Sequence, residues 1–195
     1  MDSSLYEKYK HLGDDDLHRA LLTACKENNL EDVRYLLTSD KLKVQVDIHH
    51  FQDRALILAC SNGNLDIVKY LLSSPELKEH ADQAVDNYYP LVQACSHRHL
   101  DIIKYLLTSS DLKEHSDLHI YDDEPFKIAM EQNYHEILNY FIFDLNIPKT
   151  ENIEFKLRVN PSPQIESMFK NRDLLKDLNA NLVSSNNINT KKIKL

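Results

Sequence analysis

Residues 54–88, RALILACSNGNLDIVKYLLSSPELKEHADQAVDNY, hold two short apolar-periodic segments, ALILACSN and LDIVKYLL, joined at Gly63-Asn64. Much of this stretch recurs before and after itself. Ala24-Cys25, Ala59-Cys60, Ala94-Cys95 and Ala129-Met130 fall 35 residues apart. Leu36-Leu37, Leu71-Leu72, Leu106-Leu107 and Phe141-Ile142 keep the same spacing, as do Tyr35, Tyr70, Tyr105 and Tyr140. A fixed period of this length, with two helical patterns per unit, marks a stacked array whose units bury their apolar faces against one another. The pattern predicts an all-α solenoid of four helix-turn-helix units, at about 16–50, 51–85, 86–120 and 121–150.

Composition agrees with helices. Only 2 glycines and 6 prolines occur, too few for a many-turned β architecture. No run of about 18 apolar residues is present to span a membrane. The opening MDSSLYEKYKHLGDDD lacks the apolar core of a Sec-type signal. The three cysteines sit at equivalent positions of successive units rather than at bridging ones, which points to a reducing, cytoplasmic compartment. Charge is uneven: residues 151–195 carry 8 Lys/Arg against 5 Asp/Glu, net +3, and the first 150 carry 15 against 26, net −11. Such an acidic array repels phosphate backbones, so nucleic acid is not the expected partner.

The flanks read as caps. In residues 1–15, Leu5, Tyr9 and Leu12 recur at helical spacing before Gly13 and Asp14-Asp15-Asp16 stop them. This predicts a helix shielding the first unit, with a disordered lead as the alternative. Asn28-Asn29 stands where the second unit has Gly63-Asn64, because Asn tolerates the left-handed backbone of a helix stop. Ser74-Pro75-Glu76 suggests an N-cap, an N1 proline and a first-turn acid, and so an extra helical turn over PELKEH, with Leu42, Leu77 and Leu112 tucked against the stack. Beyond 150, EFKLRV reads as an extended piece. Ser162-Pro163 then opens an amphipathic capping helix through Ile165, Met168, Phe169, Leu175, Leu178 and Leu182. Residues 183–195 read as a polar, mobile tail.

Nothing in the chain spells out catalysis. P-loop, nucleophile-elbow, GxGxxG and kinase signatures are absent, and glycine is too scarce for a phosphate cradle. Cys25, Cys60 and Cys95 occupy small core positions one unit apart, about 10 Å between packed helices. That is too far for shared ligation of one zinc at about 2.3 Å. His97/His99 and His49-His50 lack the i, i+4 spacing of a helical zinc site. His80 and His115 are repeat-equivalent and suit hydrogen bonds that hold their loops. No cofactor or metal is expected.

Binding is another matter. The buried stripe leaves two rows of first-helix positions free, Thr23, Leu58, Gln93 and Ile128, then Glu27, Asn62, His97 and Gln132. Leu58 and Ile128 are apolar where a solvated row should be polar, and Phe51, Tyr88, Tyr89 and Tyr121 sit in the adjoining connections. Aromatic residues on loops are typical anchors; the alternative is that the tyrosines only cover the tops of the helices. The expected partner-binding set is Leu58, Tyr88, Tyr89, Gln93, His97 and Tyr121, on a monomer that binds another protein. The competing expectation is an oligomerising module that pairs through its C-terminal helix.

ALILAC followed by NGNLDIVKYLL, with YPLVQACSHRHLDIIKYLL at 89–107 and EPFKIAM at 124–130, resembles the ankyrin repeat, TPLHxAAxxGHxxxVxxLL. The resemblance covers about residues 17–145. It departs in its period of 35 rather than the usual 33, in a longer loop after the second helix, and in Tyr89 and Val92 at the Thr and His places of TPLH. The segment between helices is also too short for the family's β-finger, so shortened fingers are expected. The resemblance implies binding of another protein through the concave side, formed by first helices and fingers. The KYLL…LKEHAD variant further resembles arrays common in intracellular bacteria and protists, which implies an effector acting in a host cytoplasm.

Overall fold

The computed structural model describes the backbone of residues 2–192 and the side chains of residues 3–180 apart from Asn87. All regular structure among the described residues is helical. Two compact units are formed, Met1–Ile128 and Ala129–Leu195.

The first unit runs α1 (Asp2–Tyr9), α2 (Asp14–Lys26), α3 (Leu30–Thr38), α4 (His50–Ser61), α5 (Leu65–Ser73), α6 (Val85–Ser96), α7 (Leu100–Thr108) and most of α8 (Ile120–Glu131). The first helices form one layer, with α2 on α4 and α4 on α6; the second helices form another, with α3 on α5 and α5 on α7. α1 packs on α3, where Tyr9 is buried and stacks on Tyr35 with ring centroids 6.1 Å apart. Lys8 Nζ and Tyr9 Oη both donate to Asp32 Oδ2, at 2.5 and 2.7 Å, which fastens the capping helix.

Each helix pair turns on one left-handed residue: Asn28 (φ 59°), Gly63 (φ 76°), Arg98 (φ 64°) and Asn133 (φ 54°), all in one register of the 35-residue period. The residue after it ties neighbouring units together. Asn64 Nδ2 donates to the carbonyls of Cys25 and Lys26 at 2.6 and 3.2 Å. One period on, the ring Nε2 of His99 meets the Ser61 carbonyl at 3.2 Å. These bonds satisfy carbonyls at the open C-termini of α2 and α4. Ala24, Ala59 and Ala94 are buried between the layers, as Leu36, Leu71 and Leu106 are beneath them.

Cys25, Cys60 and Cys95 are free thiols with essentially no exposed surface, and burial pushes all three up, Cys25 to about 12. Only thiolates attack disulfide reagents. Dithiobis-nitrobenzoate should therefore label none of the three in the folded protein and all three in denaturant; rapid labelling without denaturant would place a thiol at the surface.

The loops after the second helices correct one expectation. PELKEH makes no helical turn: Leu77 N donates to Ser74 O at 3.2 Å, Ser74 Oγ accepts from Glu76 N, and the chain then bends away. His80 and His115 do hold their loops, each placing Nε2 2.9 Å from a serine carbonyl, Ser74 and Ser109. Leu42, Leu77 and Leu112 are half-buried beneath them.

The second unit takes in the end of α8, α9 (His135–Asn139), a π-helical turn (Tyr140–Asp144), α10 (Glu151–Val159) and α11 (Pro163–Lys192). The π turn closes by Leu145 N donating to Tyr140 O at 2.9 Å, and α11 packs on it through buried Ile165 and Phe169. The buried Arg172 guanidinium donates to the Ile147 carbonyl. EFKLRV is not extended. It lies within α10, which Thr150 caps by accepting from Ile153 N at 3.2 Å and which buries Ile153 and Leu157. Leu175 and Leu178 do not join the buried face of α11: they are 53 % and 58 % exposed. The expected tail at 183–195 is helical as far as Lys192; residues 193–195 and the Leu182 side chain lie outside the described residues.

Candidate partner-binding surface

The residues that lead into the first helices shape one edge of the first unit. In each connection the aspartate immediately before the turn accepts a backbone N–H: Asp47 from His49 at 2.9 Å, Asp82 from Ala84 at 2.8 Å and Asp117 from His119 at 2.8 Å. This is the side-chain turn that aspartate favours. The chain then passes through left-handed residues, Phe51–Asp53 (φ 51–57°), Asp86 and Tyr88 (φ 46° and 60°), and Tyr121–Asp123 (φ 47–61°). Regular helix begins only after them, which is why Pro90 and Pro125 are tolerated near the start of α6 and α8. No strand is present here among the described residues, so the shortened finger is a turn.

Left-handed backbone costs about 1–2 kcal/mol per non-glycine residue. Buried carboxylates offset part of that cost. Asp53 Oδ1 accepts from Asp82 N at 3.1 Å and contacts His49 Nδ1 at 2.9 Å; Asp123 Oδ1 meets His119 Nδ1 at 2.5 Å in the same register. Burial pushes the Asp53 carboxyl above its ordinary value, and the Asp82 amide and His49 pull against that rise. In the first repeat a histidine does the same work in the same register: His18 takes the position of Asp53, and its Nε2 accepts from Asp47 N at 3.0 Å. Its ring stacks on His50, centroids 3.8 Å apart.

The left-handed turns push aromatic side chains outward. Phe51 is 62 % exposed and Tyr121 48 %, and the two occupy the same register 70 residues apart. Tyr121 Oη donates to the Asp86 carbonyl at 3.0 Å, which brings its ring to the start of α6. Tyr88 and Tyr89 are half-buried there. Tyr89, Gln93 and His97 follow one another at i, i+4 and i+8 along α6, with His97 Nδ1 3.0 Å from the Gln93 carbonyl. Leu58 is half-buried on α4, in the register of Gln93 on the packed neighbour α6. Five of the six expected residues thus share the α4–α6 face and its edge, and Tyr121 is tied to that edge through Asp86. The expected set omitted Phe51; its place one period before Asp86 and two before Tyr121 was the available signal.

Among the described residues, no group of three or more His, Cys, Asp or Glu side chains is arranged to hold a metal ion, and no helix is long and apolar enough to cross a membrane. A family model of three ankyrin repeats matches residues 4–81, and a single ankyrin-repeat model matches residues 86–114. No curated protein and no solved structure matches the chain. Ankyrin repeats are generally protein–protein interaction modules. With its two helix layers, its common register of left-handed stops and more than half its length under these models, the chain belongs to the ankyrin-repeat family.

Proposed function

We propose that the chain is a non-catalytic module that binds a partner protein through Leu58, Tyr88, Tyr89, Gln93, His97 and Tyr121, with Phe51 as a further anchor. The observation that carries this reading is the outward presentation of Phe51 and Tyr121 by strained backbone. Strain of this kind clusters at functional sites, and exposed aromatics beside half-buried apolar residues are the usual anchors of an interface. Resemblance of the KYLL…LKEHAD variant to arrays of intracellular bacteria supports a host protein as the partner. The test replaces Tyr88, Tyr89 and His97 together with alanine and compares capture of lysate proteins by variant and parent. At least a tenfold loss of the specifically captured proteins, with unchanged helical circular dichroism, is expected; equal capture would remove the face.

A second reading has its own observation. Leu174, Leu175 and Leu178 are more than half exposed on α11, a stripe that could pair with a second copy. Sedimentation over a hundredfold range of concentration separates the two readings. A constant monomer mass supports the binding module, and a dimer abolished by Leu175→Glu supports self-association.

A further inference from the structure

Among the loops that follow the second helices, a groove of about 450 Å³ opens between the loop that ends the first repeat and the loop that ends the second. That volume lies within the range of about 300–1,000 Å³ usual for ligand pockets. Its floor is apolar, built from Val46, Ile48 and Leu77. Its rim is acidic, with Asp40, Asp47, Glu76 and Glu79 exposed around it and Lys78 the one cation on its walls.

The next pair of loops along the array is bridged by a side chain. There Gln83, in the register of Ile48, donates to the Glu114 carbonyl and accepts from Ser116 Oγ at 3.2 Å. Buried, it latches the second loop to the third. Ile48 has no side-chain amide, and Ala81 stands in the register of Ser116, so the latch is missing between the first two repeats. The loop above it is also held differently: Gln45 Nε2 reaches the Leu37 carbonyl at 3.3 Å, where His80 and His115 bind serine carbonyls.

We infer that this unlatched groove is a second docking site, for a partner segment in which lysine or arginine side chains flank an apolar one. Charge complementarity selects that occupant. Four rim carboxylates face one lysine, and the pairs already present are loose: Arg34 lies 3.5 Å from Glu76, both half-exposed, and His49 Nε2 lies 4.0 Å from Glu79. Exposed pairs of this kind are weak and exchange readily for a better-placed cation. The carboxylates are spread around the rim rather than convergent, which suits a peptide and not a metal ion.

A fluorescein-labelled peptide of alternating lysine and leucine, followed by anisotropy at physiological salt, tests the inference. Glu76→Gln with Glu79→Gln should weaken its binding at least tenfold, as should Ile48→Gln, which supplies the missing latch towards the Glu79 carbonyl. Asp15→Asn with Asp16→Asn, an exposed acidic pair elsewhere, should change it less than twofold. The peptide with lysine replaced by glutamine should not bind. Equal weakening by both sets of acid variants would reduce the effect to net charge and overturn the site. So would binding indifferent to all of them, or a groove variant that alters the sedimentation mass, which would make the occupant a second copy. Capture through the first-helix face should survive the groove variants, so the two surfaces fail separately.

Discussion

Leu71→Ala should lower unfolding stability by about 2–5 kcal/mol, the loss usual when a buried leucine leaves a cavity its surroundings cannot close. Leu71 is fully buried on α5, between α3 on one side and α7 on the other. Both neighbours are held by their own first helices, so neither can relax into the gap. The Leu71 carbonyl also accepts from Ala81 N at 2.9 Å, which pins the backbone beside the hole. Against a typical domain stability of about 5–15 kcal/mol this is a large fraction. Urea unfolding followed by circular dichroism measures it. The half-buried Leu58→Ala should cost less than about 1 kcal/mol, because less apolar surface leaves water there. Equal losses at the two positions would mean that the layer beneath the first helices is not close-packed.

The second large effect is expected at Gly63. Its φ of 76° suits glycine, and an added Cβ would lie 2.6 Å from His99 Cε1. Gly63→Ala therefore adds left-handed strain of about 1–2 kcal/mol and forces the His99 ring away from the Ser61 carbonyl, a hydrogen bond worth about 0.5–1.5 kcal/mol. A total loss near 2–3 kcal/mol should appear in the same urea experiment. Combining the change with His99→Ala should recover part of the clash, so the double variant should be less destabilised than the sum of the singles. Strict additivity would show that the two residues do not meet.

The repeat itself was legible because its determinants are local and periodic. Small residues at Ala24, Ala59 and Ala94 let helices approach, and a residue able to turn left-handed follows each first helix. The same spacing put His80 and His115 in equivalent loops and led to their carbonyl partners. What escaped depends on tertiary context. EFKLRV mixes aromatic and branched residues as a strand does, yet Thr150 caps the helix that contains it and that helix buries Ile153 and Leu157 on one side. The SSPELKEH loop carries the chemistry of a helix start, but the chain bends before a second hydrogen bond can form. Leu175 and Leu178 continue a helical stripe whose partner surface ends near Arg172, and periodicity alone does not report where a partner stops. The left-handed runs at Phe51–Asp53 and Tyr121–Asp123 are unfavourable for the residues that adopt them. Only the buried Asp53 and Asp123 contacts explain them. With them, Phe51 entered the candidate surface and the family's β-finger became a turn.

Backbone deuterium exchange of the chain alone and with a captured partner shows whether the first helices and their turns carry the partner. Exchange should slow over 51–62, 86–97 and 120–124, the first helices of the middle repeats and the turns that lead into them. Slowing confined to α3, α5 and α7, with those segments unchanged, would contradict the proposed surface.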